Sequence, residues 1–172
     1  MRSKRVKYHE GQWFAVPLRT GGYAPGIIVR GGSAFKGGLG YFFPIHYTQP
    51  PSTSDVEHLS AKQAILIGWF GDLGIIEGRW PLIFSDRPFS RNDWPMPRFG
   101  RVDAINPEWG WITEYSQDDD GSRVPIAETR CPVTAVTGLP EVGTASAGYV
   151  EVKLVHPDRN SPPVQAVNGR PA

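Results

Sequence analysis

Cysteine is almost absent from this chain. Cys131 stands alone among 172 residues, which excludes an intramolecular disulfide and removes any need for an oxidising compartment. Long apolar runs are missing too. The longest, Ala64 to Phe70, is far shorter than the roughly 20 residues a bilayer-spanning helix needs. The start, Met1-Arg2-Ser3-Lys4-Arg5-Val6-Lys7, is basic, but no apolar signal core follows it. Elimination leaves a cytoplasmic protein without membrane contact as the expectation. Charge of one sign is equally scarce. The chain has 18 Lys and Arg against 17 Asp and Glu, a net charge of +1, so bulk charge asks for no nucleic-acid partner. Its distribution is uneven: residues 1–52 hold seven basic groups and one acid, +6, and the rest hold 11 and 16, −5. A basic N-terminal arm could touch phosphates, but a solvated terminus is the simpler reading.

Grouped catalytic side chains are also lacking. The four histidines, His9, His46, His58 and His156, form no HxH, HxxH or HExxH pair, so no metal or cofactor is expected. Asp118-Asp119-Asp120-Gly121 is not a calcium loop, because the twelfth position counted from Asp118 is Thr129. It reads instead as a hairpin-type turn. No G-x-S-x-G elbow occurs, and Gly37-Gly38-Leu39-Gly40 lacks the Lys-Ser/Thr of a phosphate loop.

What the chain does have is 20 Gly, 17 Pro and six Trp, scattered without period. Such punctuation favours short strands and turns. Strands are expected at Trp13–Leu18 (with Pro17 at a sheet edge), Tyr23–Arg30, Leu39–Tyr47, Ala64–Phe70, Trp80–Phe84, Trp109–Tyr115, Arg123–Ala127 and Tyr149–Val155. In Trp109–Tyr115 the residues Trp109, Trp111, Thr113 and Tyr115 share a face. Ser54 and Glu57 suggest a capping box opening a short helix through His58 and Leu59, and Asp72–Gly78 suggests one helical turn. The expected class is mainly β (α+β): a strongly bent antiparallel sheet or small barrel with one or two short helices. Residues 1–10 read as a flexible basic lead-in, 11–156 as a single β-rich domain and 157–172 as a disordered tail.

The segment 86–101 interleaves Arg87, Arg91, Arg98 and Arg101 with Phe89, Trp94, Met96 and Phe99. Arg, Met and aromatics are enriched at interface centres, and prolines in the loop limit the entropy lost on binding. Arg87, Phe89, Arg91, Trp94, Met96, Arg98 and Phe99 are therefore candidate partner-binding residues. The competing reading makes the aromatics a plug for the end of the sheet.

Four segments in order resemble the Immunity-26 family of bacterial polymorphic-toxin systems. They are Gly11-Gln12-Trp13-Phe14-Ala15-Val16-Pro17-Leu18, then Gly22-Tyr23-Ala24-Pro25-Gly26. Next, the strand Ala64–Phe70 leads to Ile76-Glu77-Gly78-Arg79-Trp80-Pro81-Leu82-Ile83. The last is Pro95-Met96-Pro97-Arg98-Phe99. The resemblance covers roughly residues 10–115 and weakens beyond Tyr115. Phe84-Ser85 departs from it, standing where a small residue such as Gly is expected.

The resemblance implies a protein that neutralises a cognate protein toxin by stoichiometric occlusion, so no catalytic residue is carried over. Trp80-Pro81 matches the family pattern and reads as structural. Two other functions stay open. One is a small hydrolase, since some relatives carry a phosphotriesterase-type label, although that reaction normally wants a metal-activated water. The other is an RNA-contacting module using the basic N-terminal third.

Overall fold

Aromatic and β-branched residues between glycine turns build the first strands: β1 (Trp13–Pro17), β2 (Tyr23–Gly32) and β3 (Gly37–Phe42). The structure is a computed structural model and describes residues 6–156; the expected tail over 157–172 lies outside them. There follow α1 (Thr53–Val56), β4 (Leu66–Gly71), α2 (Leu73–Ile76), β5 (Leu82–Ile83), β6 (Phe99–Val102), β7 (Trp109–Tyr115), β8 (Pro125–Pro132), β9 (Thr144–Ala145) and α3 (Ala147–Val155). Two open sheets result. The first runs β5-β1-β2-β3-β4-β9 and the second β6-β7-β8. The mainly β class holds, with three short helices among the described residues, where neither sheet closes into a barrel.

The first sheet is covered on both sides, which is why its strands show little polar alternation. One face carries Trp13, Ile27, Val29, Leu39, Tyr41, Phe43 and Trp69, packed with Trp94, Met96, Phe99 and Tyr115. The other carries Phe14, Val16, Ile28, Phe42 and Phe70, packed with Ile75, Trp80, Val150 and Leu154. Trp80 stacks on Phe14 at 5.5 Å and is fully buried. Gly74 makes room for it, because a Cβ there would stand 2.6 Å from the Trp80 ring.

Several expectations need correction. Tyr149–Val155 belongs to a helix, α3. Val150 and Leu154, four apart, go into the core together, and Ser146 caps the start by accepting the Tyr149 N–H (3.2 Å). The capping box lies two residues earlier than expected. Ser52 is the N-cap, its N–H donates to the Asp55 carboxylate (2.8 Å), and α1 ends at Val56 before His58. Trp80–Phe84 contributes only Leu82–Ile83 as strand. β1 is an internal strand where β5 pairs Trp13 and Phe14, while Pro17 lies past that pairing.

The link from β7 to β8 is not a tight hairpin at Asp118–Gly121. Residues 116–124 curl back onto the first sheet. The buried Asp119 carboxylate takes the N–H groups of Gly121 (2.7 Å), Arg123 (3.3 Å) and Val124 (3.3 Å). Gly121, at φ +104°, passes so close to Gly31 that a Cβ would meet its Cα at 2.5 Å.

A polar junction fixes this loop. The β2–β3 register shifts between Ile28 and Arg30, a bulge that re-aims a side chain. Arg30, fully buried, donates to the carbonyls of Gln117 (Nη2, 2.9 Å; Nε, 3.2 Å) and Val29 (2.6 Å). Burial, then the nearby Arg91 charge, pulls its pKa below the usual arginine value. Tyr8 also docks, donating to Asp72 at 2.7 Å.

Candidate partner-binding surface

The chain between β5 and β6 holds all seven expected contact residues except Phe99, which opens β6. Ser90 starts a short 3-10 turn at Arg91–Asp93, accepting the Asn92 N–H (3.3 Å). The turn drops Trp94 into the core, edge-on to Trp13, Tyr41 and Phe43. The Tyr41 hydroxyl donates to the Pro95 carbonyl (2.5 Å), and the Gln117 amide brackets Met96, accepting its N–H (2.8 Å) and donating to its C=O (3.0 Å). Burial, opposed by Arg30, pushes the Tyr41 hydroxyl up to about 12. Phe99 stacks on Trp69 at 6.0 Å and faces Tyr115 edge-on.

The expected residues thus divide by depth. Trp94, Met96 and Phe99 are buried. Their apolar payload holds the loop to the sheet and is not on the surface. Arg91 is half-buried in a bidentate pair with Glu10 (2.7 and 2.9 Å), and it also donates to the Asp118 carbonyl (2.9 Å). That pairing raises the Arg91 pKa, first through the hydrogen bond to Glu10. Phe89 is half-buried over Gly11, where a Cβ would fall 2.6 Å from its own Cβ. Arg87 and Arg98 are exposed, and Arg87 donates to the Glu57 carbonyl.

A cavity of about 200 Å³ opens where this loop meets β1, β2 and the residues after α1. Trp13, Ile27, Leu59, Phe89 and Trp94 give it an apolar lining, and Glu57, Arg87 and Asp93 bring charge. Its size is that of one large side chain. Chemically it can receive an apolar anchor and meet polar groups around it.

Sequence reasoning missed a second place where Arg and aromatics meet. On the second sheet, Arg101 lies over the Trp111 ring (5.3 Å) and Arg130 over Trp109 (4.7 Å). Glu128 and Asp103 neutralise them loosely, at 3.9 and 3.8 Å. The Trp111 indole donates to Asp103 (3.1 Å), and backbone N–H groups of Ile105 and Asn106 hold that carboxyl below its usual range. The alternation of Trp109 and Trp111 was readable. Their meeting with Arg101 and Arg130 depends on the β6-β7-β8 register, which no local pattern carries.

Among the described residues, no three His, Cys, Asp or Glu side chains are grouped to hold a metal ion, and no helix is long and apolar enough to cross a membrane. Compared with known proteins, residues 9–111 match the model of the family described as Immunity protein 26. No curated protein and no solved structure matches the chain.

Proposed function

The chain belongs to the Immunity protein 26 family, and from that premise we propose that it binds a cognate bacterial protein toxin in the cytoplasm and neutralises it by covering its surface. The observation that carries the reading is the cavity beside Arg87. It lies within the matched residues, is lined by aromatic and aliphatic side chains, and is ringed by both signs of charge. Interfaces draw most of their affinity from a few anchors that fill such hollows inside a patch of roughly 800 Å² per partner.

Within this proposal the seven loop residues act at different depths. Arg87, Phe89 and Arg98 meet the toxin directly. Arg91, tied to Glu10, holds the rim. Trp94, Met96 and Phe99 keep the floor rigid from beneath, so little order has to be imposed on binding. The chain forms one unit over residues 11–156 and performs no turnover of its own.

The test is coexpression with the toxin encoded beside it. Cells carrying the intact chain survive and the two proteins copurify. Arg87→Glu and Asp93→Arg, both on exposed side chains, weaken binding by roughly tenfold or more with an unchanged melting temperature. Survival without physical association, or binding indifferent to both reversals, would refute the proposal.

A further inference from the structure

Three of the four sheet edges are short or covered. β5 and β9 have two residues each. The outer side of β6 is occupied by the chain at 140–142, through Gly100 N–H to Pro140 C=O (2.8 Å) and Val142 N–H to Gly100 C=O (3.3 Å). β8 differs. It runs eight residues, is exposed along almost its whole length, and pairs with β7 alone among the described residues. Pro125, Pro132 and a bulge opposite Tyr115 blunt its ends, but Ala127–Cys131 has neither Pro nor bulge, and its two charges, Glu128 and Arg130, are of opposite sign.

The direction of its free backbone groups follows from the ladder. Val133 N–H donates to Glu108 C=O (2.9 Å), so bonded pairs recur every second residue at Cys131/Gly110 and Thr129/Ile112. The N–H and C=O of Glu128 and Arg130 therefore point away from β7. Both side chains stand on the same face of the sheet, 48% and 43% exposed; Glu128 accepts from the Thr113 hydroxyl at 3.2 Å and lies 3.9 Å from Arg101, and Arg130 lies 3.8 Å from Asp103.

We propose that this edge pairs antiparallel with the same edge of a second copy of the chain, joining two three-stranded sheets into one. Charge selects the register. Centring the pair on Thr129 sets Glu128 opposite Arg130 of the second copy, twice over, and Thr129 opposite Thr129, a favourable cross-strand pair. Centring it one residue to either side would set Glu128 against Glu128 or Arg130 against Arg130. The edge is thus complementary to itself in one register, as a two-fold contact requires. The two Arg–Trp stacks of each copy then lie along one continuous face. This contact is separate from the cavity and does not rest on the toxin reading.

Sedimentation equilibrium on the full chain tests it. The expected result is a reversible monomer–dimer equilibrium. Glu128→Arg alone and Arg130→Glu alone each weaken it by roughly tenfold or more. The double variant E128R/R130E restores association, even though it sets like charges beside Arg101 and Asp103 within each copy, so intramolecular effects cannot account for the rescue. Glu128→Gln, with an intermediate loss, serves if a reversal melts early. A chain that stays monomeric up to about 1 mM, single reversals without effect, or a double variant as weak as the two losses combined would each overturn the proposal.

Discussion

From β5 to the first residue of β6, three large side chains turn down into the core and one guanidinium is locked to Glu10; on the second sheet, two indoles stay near the surface with guanidinium groups stacked over them. The residue types are the same. The difference lies in what sits opposite. The loop faces the wide apolar face of the first sheet, where Trp13, Tyr41 and Phe43 receive Trp94. Trp109 and Trp111 lie where β7 has moved past that core, and Arg130 and Arg101 cover their rings while Asp103 takes the Trp111 N–H. Arg and aromatics in sequence therefore mark two different structures, an anchor in one place and an open face in the other.

The largest expected break in this comparison is Trp94→Ala. It empties a site at the meeting of three aromatic rings and should cost about 3–5 kcal/mol in urea unfolding. Arg30→Ala comes next, at about 2–4 kcal/mol, because the Gln117 and Val29 carbonyls lose a buried charged donor. Its effect should reach residues 116–124 first, seen as faster amide exchange there.

Alkaline pH probes the packed core, to which Tyr41 comes from the first sheet and Tyr115 from β7. An unfolded tyrosine ionises near 10, whereas folded Tyr41 holds its proton to about 12. The unfolded state sheds the proton first, so this contribution is complete below pH 10 and is lost as pH rises toward 12. Tyr41→Phe should flatten that part of the stability profile. Tyr8, raised for the same reason and by Asp72, and Tyr47, Tyr115 and Tyr149, raised first by burial, keep the remainder. The smallest effect is Trp109→Ala, expected below about 1 kcal/mol. A loss as large as that of Trp94→Ala would erase the distinction between the two regions.

Much of the fold was legible. Paired glycines and β-branched runs located β1 to β4, and the aromatic alternation located β7. Tyr149–Val155 was not, because its apolar residues satisfy both the two-residue and the helical period, and only the Ser146 cap separates them. Composition marked the 87–99 loop but carried no information on depth. Arg130 and Trp109 meet through strand register across 21 residues of chain, which local pattern cannot supply.

Calorimetric titration of the neighbouring-gene toxin into the chain and its Arg87→Glu and Glu128→Arg variants tests the central claim most directly. The account predicts one toxin per chain, roughly tenfold or greater weakening by Arg87→Glu, and none by Glu128→Arg. No heat of binding to the intact chain, or loss with Glu128→Arg alone, would contradict it.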